Sequence, residues 1–278
     1  MRNVILPDAR LARYVRMFMV GRFDGGLVHL PASADIQLLI YLDGGASMHD
    51  ARGGCAALPD SFVAGATMQP RLYAVSPGST FFGIVFRPGG FRACFGIPAD
   101  LLAGQLVALD ALLPGSVVHR WRTRCHDARG TTELLQAAAW LLTAMAPASR
   151  PVPPMPVLPL GALLQPVPGL AARLGVSPRQ FERRFLADYG IALRDFRRLA
   201  RFSCSLARLM SHSTRCRPVL ADIAADAHYS DQAHFTRDFQ QFVGATPGHY
   251  LLRRAAEDSI YRLWQFDRDT LDAYTDLA

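Results

Sequence analysis

A segment dense in proline divides this chain more firmly than any other feature of its sequence. Residues 147–168 read PASRPVPPMPVLPLGALLQPVP and contain eight prolines. Proline lacks a backbone N–H and clashes with the preceding helical turn, so this density interrupts both helices and central strands. The composition is typical of a semi-rigid, extended linker. We therefore predict an N-terminal domain over residues 1–146, a linker over residues 147–168 and a separate domain over residues 169–254.

The N-terminal domain is predicted to be rich in β-structure. Asp35–Leu42 and Thr80–Phe86 are apolar runs, closed by Asp43-Gly44-Gly45 and by Arg87-Pro88-Gly89-Gly90. Short apolar runs bounded by glycine and proline indicate the strands of a small barrel or sandwich. The composition of Glu133–Met145 favours a helix just before the linker.

Charge is distributed unevenly along the chain, and every basic residue apart from histidine is an arginine. Residues 161–254 carry 14 arginines and 7 acidic residues, a net charge of +7, whereas residues 1–160 have a net charge of +4. Residues 255–278 carry 2 arginines and 6 acidic residues, which makes them an acidic tail with a net charge of −4. A basic segment favours a polyanionic partner, and the guanidinium fork suits phosphate and guanine edges.

The basic segment contains a first helix-turn-helix pattern, PGLAARLGVSPRQFERRFLADYGI. Gly175 supplies the turn, where a left-handed backbone costs least, and Ser177-Pro178 is a typical helix start. Phe181, Phe185 and Tyr189 recur at a spacing of four residues, so we expect them to face inward. The opposite face then presents Arg179, Glu182 and Arg183.

A second helix-turn-helix pattern follows, VLADIAADAHYSDQAHFTRDFQQFVGATPGHYL. Ser230 or Asp231 is the expected N-cap of its second helix, and Phe235, Phe239 and Phe242 are expected to pack inward. Pro178 and Asp231 lie 53 residues apart. The apolar helix predicted between the units, Leu193–Met210, spans about 27 Å, which approaches the ~34 Å repeat of B-DNA.

Taken together, the C-terminal residues resemble the DNA-binding domain of AraC/XylS-type transcription regulators. The residues that carry the resemblance in the first unit are Leu170-Ala171, Leu174-Gly175-Val176-Ser177, Phe181, Arg183, Phe185 and Gly190. In the second unit they are Ile223-Ala224, Tyr229-Ser230-Asp231-Gln232, His234-Phe235, Arg237, Phe239, Gly244, Thr246-Pro247 and Tyr250. The chain departs from the family at His228, where relatives have glycine in the turn.

The resemblance implies two recognition helices in successive major grooves of promoter DNA. It implies base contacts from Arg179, Glu182, Arg183, Gln232, Ala233, His234, Thr236 and Arg237. It also implies a cytoplasmic bacterial regulator, an activator that meets RNA polymerase and forms a homodimer, with a small-molecule effector.

The N-terminal domain resembles an uncharacterised cupin-like domain found in some of these regulators. LPASADIQLLIYLDG (30–44) and VFRPGGFRACFGIPADLL (85–102) carry this resemblance. Polar residues near strand ends are candidates to orient an effector, namely Asp35, Gln37, Tyr41, Gln69 and Arg71. Surface exposure of the same residues is the alternative interpretation.

Several classes of function are disfavoured by what the sequence lacks. Its histidines form no HxH pair, and Glu133 is the one glutamate before residue 151, so we predict no metal site, no cofactor and no catalytic residues. Five scattered cysteines indicate reduced thiols, and we expect neither a signal peptide nor a membrane span. Two alternatives stay open: a cupin-like enzyme, or a module that senses a protein partner, tethered to the DNA-binding domain.

Overall fold

A computed structural model describes residues 2–49, 53–145, 155–156, 160–211, 219–256, 258 and 260–261. Within these residues a β-rich N-terminal domain is followed by a helical C-terminal domain, which confirms the predicted α+β class. The N-terminal strands are β1 (Arg2–Ile5), β2 (Val15–Arg22), β3 (Gly26–Leu30), β4 (Gln37–Asp43), β5 (Ala46–His49), β6 (Cys55–Ala57), β7 (Ser61–Ala64), β8 (Arg71–Val75), β9 (Thr80–Phe86) and β10 (Leu106–Ala108).

The strands form two antiparallel sheets. One sheet has the strand order β1-β2-β9-β4-β7-β10, and the other has the order β3-β8-β5-β6. Central strand β9 is buried on both faces: Phe82 and Ile84 join one core, whereas Phe81 and Val85 join the core between the sheets. Because successive side chains of a strand point to opposite faces, both sets must be apolar. This explains the unbroken run TFFGIVF and confirms the strand predicted over Thr80–Phe86.

Three helices cover the outer face of the larger sheet: α1 (Gly90–Phe95), α2 (Gly115–His126) and α3 (Thr131–Ala144). Trp121 of α2 and Leu141 of α3 are fully buried in the same core as Phe82. The helix predicted before the linker is therefore confirmed, and it begins two residues earlier than Glu133.

The C-terminal domain consists of α4 (Leu160–Leu163), α5 (Val167–Arg173), α6 (Pro178–Tyr189), α7 (Leu193–Ser211), α8 (Leu220–Asp226), α9 (Gln232–Val243) and α10 (Pro247–Ala255). Both predicted helix-turn-helix units are present, as α5-turn-α6 and α8-turn-α9, with α7 between them. Their common core also takes in Ala32 and Ala66 of the N-terminal domain and Met155 of the linker. The two domains thus share buried apolar surface.

Two predicted elements need correction. The linker is not extended to residue 168, because α4 and the start of α5 lie within it; Pro166 and Pro168 sit at the N-cap and first turn of α5, where a missing N–H costs nothing. The strand predicted from Asp35 begins at Gln37. Asp35 lies before the strand, where its carboxylate pairs with the Arg16 guanidinium at 3.3 Å. Linker residues 147–154 and 157–159, and tail residues 262–278, lie outside the described residues.

The cysteines that the structure describes are free thiols: Cys55, Cys94, Cys125 and Cys204. Burial raises the pKa of the Cys125 thiol to about 12, so it stays protonated at neutral pH. Cys216 lies outside the described residues. Over the same part of the chain, no helix has both the length and the apolar character that crossing a bilayer requires.

The turn of the second unit is strained where that of the first is relaxed. His228 has a φ of 59°, and among the described residues it is the one residue other than glycine with a positive φ. Gly175 occupies the same place in the first turn, with a φ of +64°. A Cβ in this left-handed region costs roughly 1–2 kcal/mol, and glycine avoids that cost.

We predict that His228→Gly raises the free energy of unfolding above that of His228→Ala by about 1 kcal/mol, because both variants lose the imidazole but only glycine relieves the strain. Urea unfolding of the two full-length variants, followed by circular dichroism at the helical band, measures the difference. Equal unfolding midpoints would show that the turn carries no strain.

Candidate nucleic-acid interface

The first helix-turn-helix unit is fixed by its turn and its cap. The N–H of Val176 donates to the carbonyl of Ala171 at 3.1 Å, which closes the turn around Gly175. The hydroxyl of Ser177 accepts from the N–H of Gln180 at 3.2 Å, and the Gln180 side chain accepts from the N–H of Ser177 at 2.9 Å. This capping box satisfies two helix-end donors and sets the direction in which α6 leaves the turn.

Recognition helix α6 has one aromatic face and one charged face. Phe181, Phe185 and Tyr189 are buried, and the rings of Phe185 and Tyr189 stack with centroids 3.9 Å apart. Arg179 and Arg183 are exposed on the other side, and neither has an ion-pair partner within the described part of the chain. Glu182 is exposed beside them. The predicted DNA-contacting residues of this unit therefore form one solvent-facing surface.

The second unit repeats the first with a turn that is one residue longer. The N–H of Tyr229 donates to the carbonyl of Ala224 at 2.9 Å, the counterpart of the bond from Val176 to Ala171. Asp231 is the N-cap, because its carboxylate accepts from the N–H of His234 at 2.6 Å. That hydrogen bond holds the pKa of Asp231 below its usual value, so the cap is charged at neutral pH.

Recognition helix α9 presents its predicted contact residues unequally. Gln232, Ala233 and Arg237 are exposed, and Thr236 is half-buried. His234 differs from them because its ring is held against the protein: Nδ1 lies 3.2 Å from the hydroxyl of Ser230, and the ring meets Tyr229 edge-on at 5.2 Å. His234 also faces the buried carboxylate of Asp238, with Nε2 at 3.8 Å. In this structure its imidazole buttresses the helix start.

Helix α7 joins the two units through its own side chains. The rings of Phe196 and Phe185 meet edge-on with their centroids 5.5 Å apart, and those of Phe202 and Phe239 have centroids 5.6 Å apart. Arg198 donates to the buried Asp238 of α9 at 2.6 Å. At ~1.5 Å per residue, the 19 residues of α7 span about 28 Å.

A cavity of about 160 Å³ lies between the N-terminal domain and α7. Most of its lining is apolar, and the polar candidates Asp35, Gln37, Tyr41 and Arg71 also line it. Gln69 is not among the lining residues, and its side chain is exposed. Asp35 is already paired with Arg16, whereas Arg71 donates to the carbonyl of Gln105 at 3.3 Å.

Sequence reasoning missed the wall that the DNA-binding domain contributes to this cavity. That wall consists of Phe202, Ser203, Leu206, Ala207 and Met210 of α7. The spacing of Phe202, Leu206 and Met210 predicts an apolar stripe, but a stripe does not say which domain it meets. As for metals, no cluster of three or more His, Cys, Asp or Glu side chains is placed to bind an ion anywhere in the described residues.

Comparison with known protein families matches two separate stretches of the chain. A family model described as a helix-turn-helix domain matches residues 170–253, and a model of a domain of unknown function, DUF6597, matches residues 3–108. No curated protein matches the chain.

Several solved structures match the chain at low similarity. A structure of ToxT from Vibrio cholerae has 10% identity and a TM-score of 0.43, covering 84% of this chain and 98% of ToxT. A ToxT crystal structure with a bound unsaturated fatty acid has 11% identity and a TM-score of 0.42, covering 84% and 95%. The AraC-like transcriptional activator CuxR has 14% identity and a TM-score of 0.31, covering 71% and 84%.

Sequence identities and TM-scores this low do not show that these proteins share a function with this chain. The family assignment instead depends on the two matched models and on the paired helix-turn-helix units. Residues 170–253 form a helix-turn-helix domain of the AraC type, and residues 3–108 match the DUF6597 model.

Proposed function

We propose that this protein is a sequence-specific DNA-binding transcription regulator that inserts α6 and α9 into successive major grooves. The observation that carries the proposal is the repetition of one exposed, capped recognition helix in two units held by α7. A helix-turn-helix places the start of its second helix against base edges, and that part of α6 and of α9 is exposed.

Within α6, Arg183 is the residue best suited to read a base. It lies two residues from each of the inward-facing Phe181 and Phe185, so its side chain leaves the helix on the face opposite the packed one. A guanidinium at that position forms two parallel hydrogen bonds to the O6 and N7 acceptors of guanine. In α9, Gln232 and Arg237 supply the equivalent polar groups, while His234 positions the helix start.

The cavity between the domains supports a response to a small molecule. Its volume of about 160 Å³ suits a ligand the size of one aromatic ring, comparable to engineered apolar cavities that bind benzene. Arg71 lines the cavity and supplies the cationic group with which a polar or anionic group of the ligand pairs. Such a ligand touches Phe202 and Leu206 of α7, which carries both recognition helices.

In this proposal the N-terminal domain binds an effector and performs no reaction. The enzyme alternative requires turnover of a substrate by the purified protein. The protein-partner alternative requires that no small molecule stabilises the fold.

We predict that Arg183→Ala weakens binding to the preferred duplex by roughly 1–3 kcal/mol and relaxes sequence preference at one position, because one bidentate base contact is lost. Binding to a randomised duplex library, followed by sequencing of the bound fraction, measures both effects. Arg129→Ala is the matched control, since it removes an exposed arginine from the loop before α3.

For Arg183, an alternative role makes a different prediction. If the guanidinium contacts a phosphate, its loss weakens all sequences equally and flattens the dependence of log affinity on log salt by about one unit. Unchanged affinity and selectivity in a folded Arg183→Ala protein would exclude α6 from sequence recognition.

We predict that small monocyclic compounds raise the melting temperature of the wild-type protein and do not stabilise Ala207→Trp. Ala207 lines the cavity from α7, so an indole at this position fills the space that a ligand needs. Binding at 100 times Kd stabilises a fold by about 2.7 kcal/mol, which a thermal scan detects. Cyclohexanol and cyclohexanecarboxylate are suitable probes. An equal rise in the melting temperatures of the wild-type protein and Ala207→Trp would show that these compounds bind outside the cavity.

A further inference from the structure

The two recognition helices end in the same way, and both ends contact the N-terminal domain. An offset of 54 residues relates Phe185 to Phe239 and the C-cap Gly190 to Gly244. The same offset relates Asp188 to Phe242, which are the penultimate residues of α6 and α9. The backbone carbonyls of Asp188 and Phe242 each accept a hydrogen bond from a backbone N–H of the N-terminal domain.

The contact at α6 contains a buried ion pair. The N–H of Gly89 donates to the carbonyl of Asp188 at 3.0 Å, and Arg92 of α1 donates to its carboxylate at 2.5 Å. The other carboxylate oxygen accepts from the N–H of Met155 in the linker at 2.7 Å. The Asp188 side chain is 1% exposed, so these donors take the place of water around its carboxylate. Beyond it, a Cβ on Gly190 would lie 3.0 Å from the carbonyl oxygen of Ala99.

The contact at α9 uses backbone and apolar groups. The N–H of Ala32 donates to the carbonyl of Phe242 at 2.9 Å. A Cβ on Gly244 would lie 3.7 Å from Cγ of Pro70 and 4.0 Å from Nε2 of His29. Burial, and then the charge of Arg253, lowers the pKa of His29 to about 4, so its imidazole is neutral here at pH 7.

The donors that the N-terminal domain supplies at these contacts come from the two segments that carry its resemblance. Segment 30–44 supplies Ala32, and segment 85–102 supplies Gly89 and Arg92, together with the Ala99 carbonyl. Neither DNA binding nor effector binding requires these groups of the N-terminal domain. Their positions are accounted for by the contact between the N-terminal domain and the ends of the two recognition helices.

We propose that the N-terminal domain is a brace that fixes the orientation of α6 relative to α9, with Arg92 and Asp188 as positioning residues for DNA recognition. This inference rests on the proposed function. The brace contacts the C-terminal ends of both helices and leaves the predicted DNA-contacting residues Arg179, Arg183, Gln232 and Arg237 exposed. It therefore fixes the relative orientation of the two recognition helices without covering the residues that contact DNA.

The physical consequence concerns the spacing between half-sites. When two reading helices are held rigidly, binding of the second is intramolecular and favourable at one spacing alone. Each inserted base pair moves the second groove by about 3.4 Å and turns it by roughly 35°. A rigid pair of helices cannot enter both grooves after two base pairs are inserted. When the contact with the N-terminal domain is lost, the helices can reorient around α7 and reach both grooves.

We predict that two inserted base pairs lower wild-type affinity at least about tenfold and lower Arg92→Ala affinity less than about threefold. Asp188→Asn, which keeps the shape of the side chain and removes its charge, is expected to behave like Arg92→Ala. Arg92→Lys retains the ion pair and is expected to restore much of the spacing preference. Arg129→Ala controls for the loss of one positive charge.

A second measurement needs no DNA and therefore separates failure of the brace from failure of the proposed function. Spin labels at Ala172→Cys and Ala225→Cys, exposed positions on α5 and α8, report the distance between the units in a background without native cysteines. We expect one narrow distance distribution in the otherwise wild-type protein and a broader one with Arg92→Ala. Identical distributions, or an unchanged spacing preference, would overturn the brace.

Discussion

The packing of aromatic rings along α7 is the interaction on which the rest of this structure depends. Phe196 contacts the ring of Phe185 in α6, and six residues later Phe202 contacts Phe239 and Phe242 in α9. All five rings are buried, and burying one such side chain contributes roughly 1.5–3 kcal/mol. One helix thus anchors both reading units, and no direct contact between α6 and α9 is required to hold them.

Helix α7 also lies between the interdomain cavity and the two recognition helices. The ring of Phe202 that packs against α9 also lines the cavity. The N-terminal domain is fastened to α6 by the Arg92–Asp188 pair and to α9 by the Ala32–Phe242 hydrogen bond. In the proposed function a ligand in the cavity contacts α7, which packs against both α6 and α9, and biases the equilibrium between two arrangements of α7. A ligand shifts this equilibrium by as much as its affinities for the two arrangements differ.

Local patterns predicted the helical domain well because its signals are local. Ser177-Pro178, Gly175 and the phenylalanines at a spacing of four residues each specify a cap, a turn or a buried face within one unit. The positive φ of His228 followed from its place in the turn. Asp188 gave no such signal: in sequence it is an acid at a helix end, and its partner Arg92 lies 96 residues away. The α7 wall of the cavity likewise depends on tertiary packing.

The most direct test of two-helix recognition is hydroxyl-radical footprinting of the full-length protein on a duplex that it enriches from random sequence. The structure predicts two protected patches on one face of the duplex, separated by about 10 base pairs. Replacing Arg237 with alanine is expected to weaken the patch bound by α9 and to leave the other in place. A single protected patch, or loss of both patches together in a folded Arg237→Ala protein, would contradict recognition by two helices.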